Sequence, residues 1–367
     1  MNWIAYSIEY CEIITDLTFL AITQTQNNEF RPLLFDQFQL DIMRKLLGSS
    51  LLFVCSAASM AAPTSAIDVT PTHRVRFEFH SAFLMNLHHF LYDAAMHEGK
   101  LEKEAWQVAP TRAQMQTLRE AVAFYKLHYA KQDLLFDDTM VDIKAALNVA
   151  DDRRDATGLK LPSDLITVLN SAAPIYAKCI WAAQDQINQT WIAQVKALDA
   201  TYGAEIQARI EHDLAHAFPT SPIRDDLVVA TGYWAGAYTR EEPVMPSDSE
   251  DYRGLASLEM LYHEASHIHV TDTVRNEINA DLKAMQRADH HGLWHAVQFY
   301  TVGEIVKDVL KRRANLDYQP YAQKNGVYTR GWSSFVPLLE GPWQSYLQGK
   351  VNMQDALNLM VDKLPPA

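Results

Sequence analysis

The chain is expected to be mainly α-helical with a small β-sheet, an α+β arrangement in which helices precede and follow the sheet. Three observations lead to this. Apolar residues recur at helix spacing over most of residues 76–217, a β-branched and aromatic stretch broken by glycines follows at 227–239, and helix spacing returns from Tyr252 onward. The 367 residues, 48% hydrophobic and 21% charged, suffice to bury a sizeable core.

Near the start, Met43-Arg44-Lys45 precedes a short apolar run ending at Cys55 and an Ala- and Ser-rich stretch to Ala66. Two cations, an apolar run and small residues form the three-part pattern of a secretory signal peptide. The apolar part is too short and serine-rich for a membrane span, so no stable span is expected after cleavage. Because such a signal begins at an initiator, residues 1–42 read as an over-extended gene-model segment, and 43–66 as the signal that directs the chain to the periplasm or outside the cell. The alternative is that 43–62 is a buried helix of a longer chain.

Two portions are expected beyond it: a helical one at 67–217 and one carrying the chemistry at 218–367. In the first, Phe83, Leu87, Phe90 and Leu91 share a helix face, 113–127 and 133–147 read as helices, and Ser163 is placed to cap another. A long stripe follows through Ile175, Cys179, Ile187, Trp191, Val195 and Leu198. The pattern breaks at Phe218-Pro219-Thr220-Ser221-Pro222, after which 227–234 and 235–239 read as strands and 243–246 as an edge piece. Helices return at 255–269, 274–287 and 293–310. His80, Asn86, His88, His89 and Tyr92 form a polar-aromatic group on the first helix of the 67–217 portion, either packing residues or the lining of a cleft.

A net charge of −13 argues against nucleic acid as a partner, since phosphate binding needs a basic surface. Cleavage near Ala61 removes six acidic and three basic residues, so −13 becomes −10. It also removes Cys11 and Cys55, leaving Cys179 without an internal partner, and that thiol reads as a core residue.

The chemistry-bearing pattern is His263-Glu264-Ala265-Ser266-His267, an H-E-x-x-H inside a helical run. Residues i and i+4 share one helix face, so two imidazoles can meet a single tetrahedral ion, with Glu264 beside them. The pattern arises by chance in roughly 3% of chains of this composition, which favours a metal site over a solvated helix face.

On these residues the chain resembles the zincin metallopeptidases, over the short sheet, the motif helix and a following helix. Val270 and Thr273 stand where the metzincin branch needs Gly and His, and Met285-Gln286-Arg287 stands where thermolysin-like spacing needs Glu. The gluzincin branch tolerates longer spacers, and Glu304, an acidic residue in an otherwise apolar run beside Gly303, fits as third ligand. Alternatively, Glu304 faces solvent and pairs with Lys307 or Lys311. His295 is the rival ligand; it lies nine residues from Glu304, on the opposite helix face, so one unbroken helix cannot easily offer both.

The resemblance implies a zinc-dependent peptidase acting on peptides or proteins. In such enzymes Zn2+ activates water and polarises the scissile carbonyl, and Glu264 moves the proton. It further implies Tyr328 as a donor to the oxyanion and the strand at 235–239 as an edge to which substrate adds, while Glu259, one turn before His263, is placed to orient that imidazole. Packing or solvated roles stay open for these three. The alternatives to a peptidase are a zinc hydrolase of non-peptide amides and a non-catalytic helical binding protein with a degenerate zincin core. The retained Glu264 speaks against the last.

Overall fold

In a computed structural model of the chain, residues 73–232, 236–288, 290 and 292–364 are described, and they belong to one compact unit. The expected segments 1–42 and 43–66 lie outside the described residues, as do Tyr233, Trp234 and Ala235 of the expected strands. The architecture is mainly helical with a four-stranded mixed sheet.

Strand β1 (Phe77–His80) leads into helix α1 (Phe83–Met96), α2 (Arg112–His128), α3 (Asp138–Asn148), α4 (Ser163–Cys179) and α5 (Trp181–Asp213). Thr111 and Gln114 form a reciprocal capping box at α2, and Asp137 caps α3 through Thr139 N. Three expectations change here. Ser163 is the first residue of α4 rather than its cap, which is Pro162. Residues 77–80 are a strand, because Phe77 and Phe79 face one side while the backbone pairs with residues 223–226. The long stripe from Ile175 is two helices meeting at 76°, since the chain leaves helical geometry at Ile180 (φ −148°). Among the described residues no single helix is long and apolar enough to cross a membrane; the bent α4–α5 pair passes that test together, by length and composition.

After α5 come β2 (Ile223–Val228), β3 (Tyr238–Thr239) and β4 (Pro243–Pro246), then α6 (Leu255–Ser266), α7 (Asp272–Ala284), α8 (Leu293–Ala314) and α9 (Met353–Asp362). The strand order is β1-β2-β4-β3, with β1, β2 and β4 parallel and β3 antiparallel to β4. The piece at 243–246, expected at the edge, is therefore internal. Its two prolines occupy its ends, where a missing N–H is tolerated. On that side the edge belongs to β3, and β1 forms the opposite edge.

Alternation along the strands gives the sheet two apolar faces. Ile223, Leu227 and Met245 join a cluster with α6, α8 and the second half of α5, while Val228, Tyr238 and Val244 join a second cluster with α1–α4. Cys179 is buried in the second cluster, as its apolar stripe requires.

That second cluster also holds the polar group read on the first helix. His88 Nδ1 lies 2.9 Å from Tyr125 Oη, His89 Nε2 lies 2.9 Å from Tyr238 Oη, and the Asn86 amide donates to Leu227 O at 2.8 Å. Tyr92 is buried too, whereas His80 is half-buried and pairs with Asp151. Burial, with a smaller effect of Lys144 and against a bond to Met85 O, pushes the His89 imidazole down to about 4. An unfolded chain takes up a proton below pH ~6.5 that the folded state refuses, so stability falls as pH drops from there toward 4. Wild type should therefore lose roughly 2 kcal/mol more than His89→Gln between pH 7 and pH 5 in denaturant titrations of metal-free protein. An unchanged gap between the two would contradict this.

Candidate metal centre

Helix α6 lies between the sheet and its neighbours, packed on α5, α8 and β3, and Ala256–Ser266 is buried throughout. His263 sits on its last turn. His267 is the capping residue and keeps right-handed helical geometry (φ −64°, ψ −21°), so the two rings still share a face. The chain then turns away at His269, in left-handed geometry (φ 68°).

The third group comes from α8. His295 Nε2 lies 3.3 Å from His263 Nε2, and His267 Nε2 lies 3.3 Å from the same atom. These three form a group able to hold a metal ion, with candidate ligand atoms all within 4.8 Å of one another. Tetrahedral zinc with Zn–N bonds of about 2.0–2.1 Å separates its nitrogen ligands by about 3.3–3.4 Å, and the two pairs that include His263 show that spacing. Burial, then the neighbouring histidines, pushes His263 well below the usual imidazole range. Burial, then Arg275, takes His267 to about 4, and burial with His267 lowers His295. All three are thus neutral near pH 7, the form that donates a lone pair to a metal. The set could therefore hold a metal ion of the kind that takes imidazole nitrogen, Zn2+ among them.

Aromatic rings hold these imidazoles. Phe299 stacks on His263 with centroids 3.7 Å apart, Trp294 stacks on His295 at 5.1 Å, and Trp332 meets His295 edge-on at 5.2 Å. His263 Nδ1 is buried with no hydrogen-bond partner among the described residues, so ring packing sets its orientation. The Gln298 amide donates to His263 O at 2.7 Å and ties α8 to α6 at this level.

Glu264 is buried, 3% exposed, and accepts a hydrogen bond from Thr239 Oγ1 at 2.7 Å. Burial raises its carboxyl to about 7, against the opposing pull of Thr239 and Lys144. A carboxyl poised there can both take and return a proton near neutrality.

Glu304 is not brought to the histidines. It accepts from Lys307 Nζ at 2.9 Å and from Gln323, on the half-exposed side of α8. The helix presents His295, Gln298, Phe299 and Val302 toward α6 and turns Glu304 away, as nine-residue spacing requires. The glycine beside it has another cause. A Cβ at Gly303 would lie 2.8 Å from Pro320 Cβ and 3.1 Å from Glu259 Oε1. Gly303→Ala should cost about 1–3 kcal/mol in chemical denaturation, and an unchanged midpoint would contradict the contact.

Glu259 does not orient His263 either. Fully buried, it accepts from Tyr318 Oη at 2.6 Å and from Tyr321 N at 2.9 Å, and burial lifts its carboxyl to about 7. It thereby fixes the start of the short helix Tyr321–Lys324, and the Tyr321 hydroxyl lies 3.0 Å from that of Tyr252 while its ring stacks on Phe299 at 6.1 Å. Tyr252 Oη in turn accepts from Ala237 N at 3.0 Å. Tyr328 is buried, and no hydrogen bond or ring contact joins it to the histidines among the described residues.

Tyr252 and Tyr321 were not singled out as site residues from sequence, and Thr239 only as part of the strand expected to take substrate. A two-residue strand and an isolated tyrosine carry no periodic signal; only the glycine at 236, where a Cβ would fall 2.0 Å from Tyr252 Oη, hinted at a crowded backbone. Asp225 was missed as well: it is fully buried on β2, and neither carboxylate oxygen has a hydrogen-bond partner among the described residues. Compared with known proteins, the chain matches no family model, no curated sequence and no solved structure.

Proposed function

We propose that the protein is a zinc-dependent peptidase of zincin type, in which His263, His267 and His295 hold the ion and Glu264 is the general base. The observation that carries this is the convergence of three neutral imidazoles, with His263 Nε2 3.3 Å from the Nε2 of each of the other two, next to the helix turn that carries the buried Glu264 carboxyl. Three protein nitrogens are the donor set of catalytic rather than closed structural zinc sites. The bound ion would supply Lewis acidity toward the carbonyl and lower the pKa of water.

The chain's own residues do the rest. Glu264 takes the proton of the attacking water and returns it to the leaving amine. Tyr321, rather than Tyr328, is our assignment for the hydroxyl that meets the developing oxyanion, because it is paired with Tyr252 and layered through Phe299 onto His263. Strand β3, at an edge of the sheet among the described residues and joined to Glu264 through Thr239, favours a peptide substrate over a small amide, since an extended backbone can pair there. Export through the segment beginning at Met43 belongs to the same proposal, and N-terminal sequencing of the natural protein tests it. The activity test is metal analysis coupled to digestion of a peptide library. One zinc per chain and cleavage that a chelator abolishes and zinc restores are expected; absence of stoichiometric zinc contradicts the reading.

A further inference from the structure

Glu264 has one side-chain donor among the described residues. Thr239 Oγ1 gives its proton to Oε2 at 2.7 Å, and the same hydroxyl lies 3.2 Å from Glu264 O. The hydroxyl has only one proton, so the shorter bond, to the carboxyl oxygen, holds it. Oε1 has no hydrogen bond from the described residues.

What fixes Thr239 is the strand it sits on. Successive residues of a strand face opposite sides. Tyr238 points into the second apolar cluster, its hydroxyl 2.9 Å from His89 Nε2 and its ring 5.6 Å from the Lys144 ammonium. Thr239 points to the side of α6. Between them the backbone pairs with β4 alone, Tyr238 with Val244 and Thr239 with Pro243, and its other side is the edge of the sheet. A strand of two residues is thus pinned from both faces and by one ladder.

We propose that Thr239 is a positioning residue for Glu264: its hydroxyl occupies Oε2, leaves Oε1 as the oxygen that receives the proton, and couples the base to the strand edge along which a peptide docks. The inference rests on the peptidase reading. In the step concerned, one proton passes from the attacking water to Oε1. The electron pair of the broken O–H bond stays on the oxygen that bonds the carbonyl carbon.

The test compares Thr239→Val, of equal shape but without the hydroxyl, with Thr239→Ser, which retains it, as zinc-loaded full chains. The probe is a quenched fluorogenic peptide cleaved by wild type. Thr239→Val should lower kcat by about ten- to a hundredfold with KM nearly unchanged, keep full zinc content, and show a rotated Glu264 carboxylate in its crystal structure. Thr239→Ser should recover most of the rate and the wild-type carboxylate orientation. An undiminished kcat in Thr239→Val, or equal impairment in Thr239→Ser, overturns this inference while the peptidase reading stands. Wild type that cleaves no peptide overturns both.

Discussion

Replacing His295 with alanine is expected to weaken zinc binding by at least about a hundredfold, more than the loss of an outer hydrogen-bond partner costs. Glu304→Ala should leave affinity unchanged. The contrast follows from geometry. His295 Nε2 stands at ligand spacing from His263, whereas the Glu304 carboxylate is engaged by Lys307 on another side of the same helix. With His295 gone, two nitrogens one helical turn apart remain, and the ion loses the donor that links α8 to α6. Competition titrations against a chromophoric chelator measure both affinities directly. Comparable losses in the two variants, or a loss in Glu304→Ala alone, would return the third ligand to Glu304.

The second large effect concerns Glu264→Gln. The amide is nearly isosteric, and its oxygen can still accept the Thr239 hydroxyl proton, so fold and zinc content should be preserved. It cannot accept a proton from water near neutral pH. Peptide hydrolysis should fall by about 10²–10⁴-fold, the usual range for a general base, with zinc stoichiometry held at wild-type level. A variant that hydrolyses at the wild-type rate would remove Glu264 from the mechanism and leave only a metal-binding helix.

Much of this was legible in the sequence, for identifiable reasons. Long helices announce themselves by repetition, and α2 and α8 begin within a residue of where periodicity places them. The H-E-x-x-H pair needs only local helix geometry, which the last turn of α6 and its cap provide. Which residue joins that pair is decided by tertiary packing. Spacing along α8 correctly said that His295 and Glu304 cannot both serve, yet it could not say which face meets α6. An acidic residue in an apolar run suggested Glu304, but Lys307, one turn on, already compensates it. A better signal was present: His295, Gln298, Phe299 and Val302 form one stripe, and a histidine on a buried stripe marks the face turned inward. Strand β1 was hidden because Phe77–His80 is only four residues long and its partner is 146 residues away, Phe77 facing Ile223. Local pattern carries no record of such pairing.

The most direct measurement is zinc-edge anomalous scattering from crystals of the protein loaded with one equivalent of zinc. A single strong peak about 2.0–2.1 Å from the Nε2 atoms of His263, His267 and His295 is the expected result. A peak beside Glu304, or none within bonding distance of the three imidazoles, would contradict the account.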